Sequence, residues 1–140
     1  MKISIASTLL TATLLTASLA SAQSAQPAYT GTFHGAAHST SGTASVYVAK
    51  DGKKTLRLSD FKTSNGPDVH VVLIAASEAQ DNENFLDKNV AHVELGKLKG
   101  NQGNQNYAIP EGTDLSKFKT VSIYCERFNA NFGTAPLESK

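Results

Sequence analysis

Between Tyr29 and Leu137 the apolar side chains recur at every second position in short runs, and each run ends in a turn signal. A period of two places successive side chains on opposite faces of an extended chain, so each run reads as a half-buried strand. Tyr29, Gly31 and Phe33 alternate with Thr30, Thr32 and His34. Ala44, Val46 and Val48 repeat the pattern, Lys50-Asp51-Gly52-Lys53 interrupts it, and Leu56 and Leu58 resume it. An Asp-Gly pair between two alternating runs is a strong hairpin signal. With almost no helical period anywhere, the pattern predicts an all-β fold, an antiparallel β-sandwich or barrel of about eight short strands.

The later runs add detail. Val69 to Ala75 is apolar in both parities, which predicts a central strand covered on both faces, with His70 on the face of Val72 and Ile74. Ala91, Val93 and Leu95 oppose His92 and Glu94 along the next run, and Asn106 to Pro110 forms a short strand closed by proline. The polar, acidic segment 78–89 is the only place for a short helix or long surface loop.

Lys2, an apolar stretch rich in Leu and Ala, and an exit at Ala20-Ser21-Ala22 are the parts of a secretory signal peptide. They predict cleavage after Ala22, a flexible tail over 23–28, one β domain over 29–138, and a periplasmic or secreted location. The formal net charge of the whole chain is +1, and acidic and basic residues are interspersed. Such a surface offers no footprint for nucleic acid, and none for an anionic membrane once the leader is removed.

Cys125 is the only cysteine. It cannot form an internal disulfide, so in an exported chain it is a free thiol or the link of a Cys125-bridged dimer. Val121, Ile123 and Cys125 share one parity, which points the sulfur to the core, where free cysteine acts as a small hydrophobe. After Arg127 the apolar parity switches to Phe128, Ala130 and Phe132. That switch predicts a bulge or corner near Glu126-Arg127, in a bent strand that could re-aim the thiol. Arg127 close to the sulfur would favour the reactive thiolate. The inert and the reactive readings both stand at this point.

The four histidines, His34, His38, His70 and His92, lie far apart and form no H-x-H pair, which gives zinc little support. No histidine follows Cys125 and the only methionine is Met1, so the usual copper-ligand loop is missing. There is no C-x-x-C-H motif for covalent haem and no G-x-S-x-G elbow for a hydrolase. A Cys125–His70 nucleophilic pair has no local motif to recommend it. Asp68, beside Pro67, reads as a turn residue whose carboxylate satisfies backbone donors.

Several blocks, in order, resemble the DM-thirteen domain family of electron-transfer modules found beside DOMON domains. They are Gly31-Thr32-Phe33, His38 to Gly42, Gly66-Pro67-Asp68-Val69-His70-Val71, Leu95 to Gly100, Tyr107 to Pro110, and Val121 to Cys125 with Phe128, Phe132-Gly133 and Ala135 to Leu137. Tyr124 stands where many members carry Trp. The resemblance implies a small β domain with a redox role, through a naked thiol or a prosthetic group such as haem. Carried over by position, Cys125 is the redox candidate and Cys125 and His38 are the candidate haem ligands, while Asp68 belongs to the turn. The expected function is electron transfer with a redox or surface partner. The alternative is a non-catalytic binding module in which Cys125 is a core residue.

Overall fold

The structure, a computed structural model, describes residues 25–77 and 89–140. The expected signal peptide, the start of the tail and nearly all of segment 78–89 lie outside the described residues. Among the described residues there is no helix. The strands are β1 (Tyr29–Thr32), β2 (His34–Gly35), β3 (Ser41–Val48), β4 (Lys54–Lys62), β5 (Val69–Ile74), β6 (His92–Lys97), β7 (Gln105–Ile109), β8 (Thr120–Cys125), β9 (Ala130–Pro136) and β10 (Glu138–Ser139).

They form two antiparallel five-stranded sheets, ordered β10-β1-β3-β4-β7 and β2-β9-β8-β5-β6, packed as a β-sandwich. The strand count exceeds the expected eight for an identifiable reason. The first alternating run divides at Phe33, so that β1 pairs with β3 in one sheet and β2 pairs with β9 in the other. Phe33 is buried at the crossing and meets Phe61 edge-on, ring centroids 5.2 Å apart. The second addition, β10, is a two-residue strand pairing Ser139 with Tyr29, too short to leave a periodic trace.

The Asp-Gly hairpin forms as expected between β3 and β4. Gly52 N–H donates to the Ala49 carbonyl at 2.9 Å, and Gly52 takes φ +86°, a left-handed conformation glycine adopts at little cost. Inward residues of both sheets make one core: Ala44, Val46, Leu56 and Leu58 from the first sheet, and Val71, Leu73, Val121, Ile123, Cys125 and Phe132 from the second. Each fully buried large apolar side chain there contributes about 1.5–3 kcal/mol of transfer free energy. The opposite face of β5 and β8 carries a second small cluster of Val72, Ile74 and Tyr124, with Ala76 and Val90 packed on it. β5 is thus covered on both faces, as its double parity predicts.

The stretch after Cys125 differs from expectation. It is no bent strand but a chain reversal: β8 ends at Cys125, residues 126–129 turn, and Ala130 pairs back with Cys125. Asn129 N–H donates to the Glu126 carbonyl at 3.2 Å, and Asn129 takes φ 55°, a region asparagine enters more readily than most residues. The parity switch has two causes. One is the reversal, which leaves Phe128 at the turn 62% exposed. The other is an irregularity on β9, where Tyr124 opposes Asn131 but Ile123 opposes Gly133, leaving Phe132 as the extra residue.

Candidate functional site

The expected redox residue sits at the inner edge of this reversal. Cys125 is fully buried and free, and its backbone faces Val69 on β5 and Ala130 on β9. Arg127, by contrast, is exposed on the turn. Gly66-Pro67-Asp68 roofs this end of the sandwich. A side chain on Gly66 would collide with Val69 Cγ2 at 2.6 Å and Phe132 Cζ at 3.0 Å, so the glycine lets the turn lie directly on Cys125's neighbours. Glu126 N–H donates to the Asp68 carbonyl at 3.0 Å and ties this turn to the reversal. A cleft of about 300 Å³ opens beside it, lined by Ser64 to Val69, Lys97, Leu98, Gly100 and Asn101. Its lining does not include Cys125, which lies behind Val69.

His38 goes elsewhere. It is exposed on the loop between β2 and β3, with its ring edge-on to Phe132 at 4.2 Å between centroids. A haem needs an open apolar slot beside its axial ligand. Here the sulfur is enclosed among core side chains, while His38 is exposed at the surface against Phe132. The residues present therefore do not fit a haem bound by Cys125 and His38. The Cys125–His70 pair is likewise not assembled. His70 opposes Tyr124, one step along from the Val69–Cys125 pair, so the imidazole and the thiol leave opposite faces of the sheet.

On that outer face stands a group of residues that the sequence pattern did not single out. His70 reaches Asp68 Oδ1 with Nε2 at 2.8 Å and hydrogen-bonds Glu94 with Nδ1. Glu126 Oε2 lies 3.7 Å from the same Nε2, and Lys97 Nζ stands 4.0 Å from Asp68 at the rim. The imidazole is only 11% exposed and is thus held among three carboxylates. Partial burial works against its charged form, but the hydrogen bonds to Glu94 and Asp68, with the charges of Glu94 and Glu126, outweigh it and raise the pKa above the ordinary imidazole value. Asp68 is therefore more than a turn residue, since its side chain engages the ring. Parity alone gives His70 and Glu94 outward orientations on their strands. It does not reveal that β5 and β6 are neighbours across the long connection, or that the reversal brings Glu126 back to the same place.

Against this geometry, the sequence profile of the electron transfer DM13 family matches residues 32–137. The chain belongs to the electron transfer DM13 family. No curated protein matches the chain, and no solved structure does. In this DM13 domain the matched stretch runs from the end of β1 through β9, so it includes the buried thiol, the roofing turn and the outer His70 group alike.

Proposed function

We propose that the chain is an exported electron-transfer domain whose redox-active group is the thiol of Cys125, sheltered in the resting fold. Membership of the electron transfer DM13 family supports a redox role. The observation that carries the assignment to sulfur is compositional: beyond Met1, Cys125 holds the only sulfur atom in the chain. The export reading rests on the leader-like sequence ending at Ala22.

Reaction requires the 126–129 reversal to lift and expose the end of β8. The thiolate of Cys125 then attacks one sulfur of a partner disulfide, and the other partner sulfur leaves as a thiol once protonated. The product is a mixed disulfide: Cys125 is oxidised, the departing partner sulfur is reduced to a thiol, and the attacked partner sulfur stays at the disulfide level, bonded to Cys125. The sandwich keeps the group out of contact with wrong partners between such events.

A second reading has its own support: Cys125 is wholly enclosed in the main apolar cluster, which suits an inert core residue in a binding module. Purification from the native compartment, a visible spectrum and a timed thiol titration separate the two. The redox reading expects a colourless protein that forms a mixed disulfide with glutathione disulfide without unfolding, and none with Cys125→Ser. A thiol that reacts only at the rate of global unfolding supports the binding module. A haem absorption band lost in Cys125→Ser overturns the thiol assignment.

A further inference from the structure

We propose that Asp68, His70 and Glu126 bind a divalent first-row transition metal ion, with Glu94 as the outer partner that orients the imidazole. His70 Nε2 and one oxygen from each carboxylate all lie within 4.8 Å of one another. Nitrogen and oxygen ligands sit about 2.0–2.2 Å from an ion such as zinc, so two ligands of one ion stand at most about 4.4 Å apart on these bond lengths. Small side-chain rotations bring this group into that range. Two of its ligands have room to move, because the Glu126 and Asp68 side chains are 47% and 28% exposed.

The hydrogen-bond chemistry points the same way. In the tautomer whose Nδ1–H donates to Glu94, a neutral ring directs its Nε2 lone pair at Asp68 and Glu126. Both carboxylates are acceptors; in the metal-free protein a proton on Nε2 donates to Asp68, and a bound cation would take that proton's place. A cation placed between the three atoms satisfies all of them. A carboxylate on the far nitrogen of a ligating histidine is the usual outer arrangement of metal sites, where it fixes the tautomer. The charge balance agrees: among the described residues, the one Lys or Arg paired with Asp68, Glu94 or Glu126 is Lys97, whose side chain is 80% exposed at the rim.

The donor set selects the class of ion. One imidazole and two carboxylates suit zinc, copper, manganese or iron, whereas calcium and magnesium take all-oxygen sites. Solvent exposure on the Glu126 side leaves coordination positions for water or a substrate atom. The ligands come from the outer face of the β5–β8 sheet and its two turns, so this site stands independently of any role for the thiol.

Zn²⁺ titration of the purified full chain by calorimetry, with Co²⁺ as a spectroscopic probe, tests the assignment. One equivalent of Zn²⁺ is expected to bind. Asp68→Asn and Glu126→Gln should each weaken it at least tenfold, and Glu94→Gln by about 10–100-fold as an outer-partner loss. The Glu126 variant changes only an exposed turn side chain, so circular dichroism should show an unaltered fold. Cys125→Ser should leave the affinity unchanged even if the thiol proves inert. Absence of saturable binding, an affinity in Asp68→Asn and Glu126→Gln unchanged from that of the unsubstituted chain, or a sulfur-to-cobalt charge-transfer band would each overturn the proposal.

Discussion

Two adjacent residue pairs on the same two strands meet opposite surroundings. Val69 and Cys125 face each other across β5 and β8 toward the core, while His70 and Tyr124, one residue along, face outward. On the inner side the thiol lies within the main apolar cluster. On the outer side the imidazole is held by three carboxylates and a lysine rim. A shift of one residue in a pleated strand is enough to move a side chain between these environments. The redox-capable atom and the charged cluster are thus close along the chain but separated by the thickness of a sheet.

The largest expected effect breaks the inner side. Phe132→Ala removes a fully buried ring beside the roofing turn and should cost about 3–5 kcal/mol, read from the midpoint shift in urea unfolding. Next comes access to the sulfur. In the intact protein Cys125 should react with a small thiol reagent at least roughly 100-fold more slowly than in urea, because reaction awaits local opening of about 3 kcal/mol or more. A native rate equal to the unfolded rate would show the shelter to be absent.

On the outer side the effects are smaller and depend on pH. The folded pKa of His70 is raised, so its stabilising contribution is complete below the unfolded value of about 6.5. That contribution fades as pH rises through the folded value, because the unfolded chain loses the proton first. In metal-free buffer His70→Gln should therefore cost about 1 kcal/mol near pH 6, reduced by the partial exposure of the carboxylate partners, and the cost should shrink toward alkaline pH. Paired thermal melts of both proteins across that range provide the measurement. Glu126→Gln is the mildest change. Its carboxylate is 3.7 Å from the ring and half exposed, so without metal it should shift stability by only a few tenths of a kcal/mol.

The alternation of apolar residues made the sheet architecture and the inward direction of Cys125 legible, because a two-residue period reports facing directly. It also made the double coverage of β5 legible, since Val69, Val71 and Leu73 serve one cluster and Val72 and Ile74 the other. The reversal at 126–129 and a bend within one strand both produce a change of parity, so the pattern locates the corner without telling the two apart. The absence of Gly or Pro at Asn129, which takes the left-handed conformation itself, hid the turn. The His70 group was out of reach for another reason. Asp68, Glu94 and Glu126 are ordinary surface residues in sequence, and only strand adjacency and the Glu126-to-Asp68 backbone bond gather them. The apparent haem ligands illustrate the reverse case: residues that share a family pattern, Cys125 and His38, stand in unlike places once the core is packed.

One pairing described above governs the order in which the sandwich can be assembled. Thr30 meets Glu138 and Tyr29 meets Ser139, so β1 gains one of its two neighbours only when the far end of the chain arrives. Closing a contact over so long a stretch is entropically slow and waits on the intervening strands. A chain delivered through a pore with its N-terminus leading would keep one edge of β1 open until the last strand emerged. Tethering that last strand inside the pore should therefore leave β1 with an unpaired edge and the domain unlatched.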